Sequence, residues 1–578
     1  MAEVLLSPGV LARENDQTFL QRTPTQAGAA ILGPTVKGPV GVPTLISSYS
    51  DYVNLYGDKV ESGSNEYTYF TSISAYNYFQ QGGDSLLVTR VVSGSYTPAT
   101  SSFVTSSAYQ DGTPLTTNTF TLETISEGTI MNSTSTHGSS GELASGTSDN
   151  LRWEIASQNT ASGTFSLLIR RGDDITNSKI VLETFSNVSL DPNSSDYISK
   201  VIGDQSSTVV NDGGTYYIQV SGSYPNMSSY VRVKEVNNKT LNYLDNAGNA
   251  KNALTGSIPI IMSGAFGDAT GTDFTDANSP ANFYNDINST NTQGLIADNY
   301  DTSISLLANQ DEFQYNLIVA PGLYKADYSS QITSISDNSK VRGDNLAVLD
   351  MVKYNSTLGS SITQASGIDS SYAATYWPWL QTLDPTLGTY CWVPASTMML
   401  GVYAFNDTAG EAWFAPAGLN RGGLSTVIRA ERKLTNGNRD TLYQGNVNPI
   451  ATFPNTGVVV FGQKTLQKKA SALDRVNVRR LLIAMKNFIS QIADNLVFEQ
   501  NSIATRNAFL SQVNPYLASI QQRNGLYAFK VVMDDSNNTP DVIDRNQLVG
   551  QIFIQPTRTA EFIYLDFNIL PTGATFPS

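Results

Sequence analysis

Three consecutive segments constrain this chain most: the apolar run Tyr315-Asn316-Leu317-Ile318-Val319-Ala320, a helix-length stretch near Ser329 to Ile335, and a second apolar run, Asn345-Leu346-Ala347-Val348-Leu349. A strand, a helix and a strand in that order predict a parallel sheet, because the helix crosses one face and returns the chain in the same direction. Earlier segments carry a related signature. Ala29-Ala30-Ile31-Leu32-Gly33 reads as a strand, Tyr67 to Phe79 carries aromatics at helix-like spacing, and Leu86 to Val92 reads as a buried strand. Turns at Gly38-Pro39 and Pro43 punctuate this first stretch. With 578 residues the chain has room for about three to five domains of ordinary size.

From about residue 96 the composition shifts to Ser, Thr, Gly and Asn. Short alternating segments such as Leu151-Arg152-Trp153-Glu154-Ile155 and Tyr230-Val231-Arg232-Val233-Lys234 predict strands with one face inward and one outward. A β-rich domain inserted over residues 96–255 and lying at the surface is therefore expected between a first core segment, 25–95, and a central α/β core, 256–455. Farther on, Val478, Leu481, Leu482, Met485, Phe488, Ile489, Ile492 and Leu496 recur three or four apart, which sets them on one face of a long helix. A second helix is expected from Ile503 to Gln522, burying Phe509, Val513, Leu517 and Ile520, with Pro515 as a kink point and Gly525 as its stop. Tyr527 to Met533, Gly550 to Gln555 and Glu561 to Ile569 have strand composition. A mixed C-terminal domain over 456–556 follows, with extended arms at 1–24 and 557–578.

The residue inventory excludes several classes of function. Fifty acidic residues against 35 basic ones leave a net charge of −15, which disfavours general nucleic-acid binding, since phosphate neutralisation needs concentrated Lys and Arg. The single cysteine, Cys391, rules out an intrachain disulfide framework, and beside Trp392 it reads as a small buried residue. Met1 to Pro8 lacks the basic start and apolar run of a secretory signal, and no run of about 18 apolar residues suggests a membrane span, so neither export nor membrane insertion is expected. A Ser-His-Asp mechanism needs an imidazole, and the one histidine, His137, lies in a Ser/Gly/Thr-rich stretch of the insertion. No Gly-x-x-x-x-Gly-Lys-Ser/Thr loop occurs. Asp173-Asp174 and Asp534-Asp535 read as turn residues, and Asp191, Asn193 and Asp196 lack the Gly and terminal Glu of a calcium loop. No catalytic residue, cofactor or metal is expected. One cluster stands out against the acidic background: Lys464, Lys468, Lys469, Arg475, Arg479, Arg480 and Lys486 surround a single acid, Asp474, and form a candidate binding surface.

An ordered series of local patterns then resembles the contractile bacteriophage tail sheath family. Tyr376-Trp377-Pro378-Trp379, Val393-Pro394-Ala395-Ser396, Gly401-Val402-Tyr403 and Ala415-Pro416-Ala417-Gly418 are similar to its central-domain hallmark, as is Gly457-Val458-Val459-Val460-Phe461-Gly462 with Thr465-Leu466. Val476-Asn477-Val478-Arg479-Arg480-Leu481, Phe498-Glu499-Gln500-Asn501, Gly525 and Asp534 to Thr539 continue the match, so that it spans about residues 370 to 570. Pro8-Gly9-Val10, and Gly33-Pro34 with Tyr49 to Gly57, resemble its N-terminal elements, and Glu183 to Pro192 also looks like sheath sequence.

The resemblance implies an α/β and α+β multidomain fold with a subtilisin-like core, a likeness of architecture that carries no promise of proteolysis. It implies a structural subunit that polymerises as stacked six-subunit rings around a tail tube and contracts to drive the tube through the host envelope during genome delivery. The implied partners are further copies of the chain, the tube protein, and baseplate and tail terminator proteins, in a virion tail assembled in the host cytoplasm, with no direct nucleic-acid contact. Lys468, Lys469, Arg475 and Arg479 are then the candidates to face the tube. Val4, Leu5, Leu6, Pro8, Gly9, Val10, Phe562, Ile563, Tyr564 and Leu565 are candidates to join neighbouring subunits, because an extended arm can add a strand to an exposed sheet edge. Alternatives are the sheath of a phage-tail-like bacteriocin or contractile secretion system, a receptor- or glycan-binding tail protein suggested by the Tyr- and Ser/Thr-rich insertion, and, weakest, an enzyme of subtilisin-like fold.

Overall fold

Every residue of β1 (Ala29–Gly33) and of β3 (Leu86–Arg90) is buried, the burial that a strand covered on both faces requires. The two lie parallel, from Ala29 opposite Leu86 to Gly33 opposite Arg90, and the short β2 (Thr44–Ile46) closes the outer side of β3 antiparallel. Helices α1 (Tyr49–Tyr56) and α2 (Phe70–Gln80) fill the connection. These elements belong to a computed structural model that describes residues 25–563, apart from 63–64, 103, 107–108, 111–112, 115–117, 133–142, 272–282 and 285–286.

After β3 the chain builds a separate sheet before returning. Strands β4 (Pro98–Ser101), β5 (Phe120–Glu127), β6 (Leu151–Asn159), β7 (Thr164–Arg171), β8 (Val181–Ser189), β9 (Val231–Val236) and β10 (Met262–Gly267) pair antiparallel throughout, in the order β8-β7-β6-β10-β4-β5-β9. Phe120, Trp153, Phe165, Leu167 and Val231 anchor its own apolar core. The expectation of one dry and one wet face fails at β6, where Arg152 and Glu154 are buried along with Trp153. Arg170 pairs with Glu154 at 2.9 Å and with Asp174 at 2.7 Å, and Arg152 reaches Asp174 at 3.3 Å, so the turn after β7 covers that face with charge-paired groups. Asp174 is thus the buried hub of an ion-pair cluster as well as part of a turn.

The core then resumes with β11 (Leu317–Tyr324), α3 (Ser329–Arg342), β12 (Leu346–Asp350), β13 (Ala373–Trp377), α4 (Ala395–Ala409), β14 (Asn448–Phe453) and β15 (Gly457–Val460). β11 inserts beside β1, giving an eight-stranded sheet in the order β15-β14-β13-β12-β11-β1-β3-β2. The six strands from β14 to β3 run parallel, and the antiparallel β15 and β2 form its edges. One apolar cluster unites residues from both halves, Ile31 and Leu87 with Val319 and Val348. α2 packs on α4, and Gly401 permits the approach: a Cβ there would stand 3.0 Å from the Asn77 carbonyl oxygen.

The C-terminal elements are α5 (Val476–Asp494), α6 (Ile503–Gln522) and the hairpin of β16 (Leu526–Val532) with β17 (Gln551–Pro556). Leu481, Met485 and Ile492 of α5 meet Phe509, Val513, Leu517 and Ile520 of α6, as the apolar spacing predicts. Pro515 sits inside α6 without ending it. The stop is a Schellman arrangement in which Asn524, at φ 60°, takes the left-handed position, its N–H donating to Gln521 O, while Gly525 N–H donates to Ile520 O. Gly525 is needed for room: a Cβ there would stand 2.4 Å from Ile520 Cγ2. The strand expected from Glu561 does not begin there, because Glu561 to Ile563 carry no strand pairing and the Glu561 carboxylate is held by side chains of the core.

Candidate assembly surfaces

The basic segment splits into cations turned inward and cations turned outward. Arg479 closes the first turn of α5 and Arg480 follows it, near the end where the helix dipole disfavours positive charge, so each needs compensation. Arg480 is 5% exposed, donates to both carboxylate oxygens of Asp407 at 2.7 and 2.5 Å, and lies over the Tyr403 ring. Arg479, equally buried, stacks 3.9 Å over Tyr372 and donates to Ser371 Oγ; burial pulls its pKa below the ordinary value. This corrects the expectation that Arg479 faces a partner, since its guanidinium is enclosed by its own chain. Lys464 donates to the Tyr443 carbonyl, and burial lowers its pKa as well. Lys468, Lys469 and Lys486 are exposed.

Arg475 stands between these groups and the end of the described chain. It contacts Asp474 at 3.0 Å and Glu561 at 2.8 Å. Glu561 also accepts from the Tyr443 hydroxyl at 2.7 Å and from Gln463 Nε2 at 3.0 Å. Burial alone would raise its pKa, but the bonds from Arg475, Tyr443 and Gln463 outweigh that and hold the carboxyl below its usual range. Phe562 and Ile563 then project into solvent, 69% and 76% exposed. Tyr564 and Leu565, like Val4, Leu5, Leu6, Pro8, Gly9 and Val10, lie outside the described residues.

The hairpin of β16 and β17 is a two-stranded sheet, so among the described residues each strand has an unpaired outer edge. Phe529, Val531, Ile552 and Ile554 pack toward the helices, while Tyr527 and Phe553 face solvent, 62% and 56% exposed. An unpaired edge of this kind is a template for a further strand.

Residues 268–466 match the family described as phage tail sheath protein central domain, and residues 468–570 match phage tail sheath C-terminal domain, more than half of the chain between them. The chain belongs to the phage tail sheath family. Similar proteins include the tail sheath protein of Vibrio phage KVP40, 37% identical over 220 residues, covering 38% of this chain and 33% of that one. The tail sheath protein of Enterobacteria phage T4 is 36% identical over 230 residues, covering 40% and 35% respectively. The aligned part thus spans about a third of the length of these relatives. A sheath tail protein from Listeria innocua covers 92% of this chain and 95% of its own at 10% identity and a TM-score of 0.48, a likeness that adds nothing to the assignment.

The sheath C-terminal match contains α5, α6, the open hairpin and Glu561, and the central match contains the core from β11 to β15. Among the described residues, those weighed for chemistry are structurally committed. Cys391 is a buried free thiol whose pKa burial raises. Asp173 pairs with Arg171, Asp535 pairs with Arg506, and Asp534 accepts from the Ser536 backbone N–H. Asp191 accepts from the N–H groups of Asn193 and Tyr243, which makes it a turn organiser. His137 lies outside the described residues. One buried acid escaped notice in the sequence. Asp350, at the end of β12, accepts from the N–H of Ser396 at 3.2 Å and from its hydroxyl at 2.5 Å, at the start of α4. Burial pushes its pKa up to about 7. The readable signal was an apolar strand closing on Asp350, facing the Pro394-Ala395-Ser396 helix start. Among the described residues no cluster of His, Cys, Asp and Glu could hold a metal ion, and no helix is long and apolar enough to cross a membrane.

Proposed function

We propose that this chain is the structural subunit of a contractile phage tail sheath, polymerising as stacked six-subunit rings around the tail tube and contracting to drive the tube through the host envelope. In this reading the eight-stranded sheet is the subtilisin-like core, acting as a scaffold and not as an enzyme, and the seven-stranded sheet is an outer domain. The domain limits in this reading are those expected from the sequence, arm 1–24, core 25–95 and 256–455, outer domain 96–255, C-terminal domain 456–556 and arm 557–578, moved at two borders: β10 carries the outer sheet on to Gly267 and β15 carries the core sheet on to Val460.

The observation that carries the proposal is the two-stranded hairpin, its outer edges unpaired among the described residues, inside the segment that matches the sheath C-terminal domain. Residues 1–24 of a second copy are the strand that would complete it, and the contact is head-to-tail, so it propagates instead of closing on itself. The exposed Lys468 and Lys469 suit a weak, releasable contact with the tube protein, with baseplate and terminator proteins at the ends of the stack. Assembly in the host cytoplasm and residence in the virion tail follow from this role, and the phage origin of the named relatives favours a phage over a bacteriocin or secretion system. Electron microscopy of the purified protein tests the proposal: cylinders of two lengths and two diameters are expected, and a protein that stays monomeric at high concentration, with and without tubes, overturns it.

A further inference from the structure

The antiparallel ribbon of Ser206–Asp212 with Thr215–Ser221 belongs to the outer domain by its chain connections and to the core by its contacts. Its root is locked into the outer domain. Asp204 accepts from the N–H groups of Ser223 and Tyr224 at 2.8 and 2.7 Å, Asn226 and Gln205 exchange two bonds, and Met227 N–H donates to the carbonyl of the buried Ile202. Gly213 and Gly214, both at positive φ, close the far end in the tight turn that a twisted two-stranded ribbon needs. None of residues 206–221 enters the apolar cluster of the outer domain. Val209 and Ile218, paired across the ribbon, and Tyr216 pack instead on the core cluster. The strand Thr215–Ser221 lies along the helix Asp301–Leu306, and a Cβ on Gly41, in the turn before β2, would stand 3.5 Å from Val209 Cγ2. Among the described residues no hydrogen bond or ion pair joins the ribbon to the core, so this hold is apolar.

Elsewhere the outer domain rests on Lys37 with Asp149, on Arg90 with the Glu127 carbonyl, and on Ile130, which touches both apolar clusters. Between these contacts and the ribbon the two units stand apart: a cleft of about 630 Å³ runs from Glu127 to Ser207 at the base of the ribbon, with Thr44 and Leu45 on the core side and Ile125 and Tyr230 on the outer side. A domain held on one side of an open cleft is free to turn, and one held on both sides is not. We propose that the ribbon is a strap that fixes the angle of the outer domain on the core, rooted in one unit and gripping the other through Val209, Tyr216 and Ile218. Released, it lets the outer domain turn about Lys37, Arg90 and Ile130. Three half-buried apolar groups hold less tightly than a closed core, so the grip opens while both units stay folded. The strap is a property of the single subunit and does not depend on the sheath reading.

The one native cysteine, Cys391, is buried, so spin labels at Thr184→Cys on β8 and Val341→Cys near the end of α3, both exposed positions, report the distance between the two units in the full chain. The otherwise native chain should give one narrow distance distribution. Replacing residues 206–221 by a short glycine–serine link should leave both units folded and widen the distribution roughly twofold, and Val209→Ser with Ile218→Ser should widen it less. In that double variant, hydrogen exchange of residues 301–306 and 38–43 should rise by roughly tenfold while β7 stays protected. A broad distribution in the native background, or one equally narrow without the ribbon, overturns the strap. Unchanged exchange in the double variant overturns the grip. A chain that loses its outer sheet when the ribbon is replaced makes the ribbon part of that fold and overturns the proposal as well.

Discussion

Asp350 is a buried acid whose ionisation opposes this fold. Its carboxyl is buried, and desolvation pushes its pKa up to about 7, well above the ordinary range of an aspartate. Raised above its unfolded value, the group leaves stability intact below about pH 4 and removes it as pH climbs through 7, a loss on the order of 4 kcal/mol once complete. Asparagine reproduces the neutral acid, accepting from the Ser396 N–H and donating to its hydroxyl. Denaturant unfolding of Asp350→Asn should therefore show a far larger gain over the parent chain at pH 8.5 than at pH 4, and an equal difference at both would remove the linkage. At the surface the expectation differs. Lys468→Glu with Lys469→Glu should leave thermal unfolding within about a degree, because exposed charges contribute little to stability, yet impair polymerisation on tubes; normal polymerisation of the double variant would refute their tube-facing role. The fate of Arg479 shows why a sequence cannot make this division alone. Arg479 and Lys468 look alike in a run of cations, and the Tyr372 ring that encloses Arg479 belongs to a segment distant in the chain.

Regular elements were far more legible than side-chain fates. α5 and α6 could be placed because a helix with one buried face writes its period into the sequence, and β1, β3, β11 and β12 because strands covered on both faces are apolar runs. β2, only three residues long, has no such signature, and β6 misled because its polar residues are buried in ion pairs that depend on the turn after β7. The strand expected over Glu561 to Ile569 does not start at Glu561 for a similar reason, since its partners Tyr443 and Gln463 are distant in sequence, and Tyr564 to Ile569 lie outside the described residues. Two tests belong to this scale. Leu517 is fully buried between α6 and α5, so Leu517→Ala should cost about 2–5 kcal/mol by transfer and cavity terms, read as a lower denaturation midpoint. Deleting residues 1–20 should do the opposite, leaving a folded, soluble subunit that cannot build cylinders; intact sheaths from the truncated chain would exclude strand exchange by that arm.

For the molecule as a whole, the joints between its sheets and helices decide where motion can occur. The seven-stranded sheet is tied to the core by Lys37 with Asp149 at 3.0 Å and by Arg90, which donates to the carbonyls of Gly38 and Glu127. The C-terminal helices are tied to it by Arg480 with Asp407 and by Arg523 with Glu411, while Trp413, in the loop after α4, enters the helical core. Paired, partly buried contacts of this kind favour a subunit that moves as one piece, so in the proposed sheath reading the shape change would fall in the contacts between subunits. In the sheath reading proposed above, the free energy of contraction would be deposited when the sheath assembles, with the extended form held behind a kinetic barrier and the contracted form lower in free energy. Brief warming or mild denaturant should then convert purified extended cylinders into short, wide ones in buffer free of nucleotide and containing a chelator, and cooling should not reverse the change. A dependence on added nucleotide or divalent cation in that experiment would move the energy source outside the subunit contacts and defeat the mechanism.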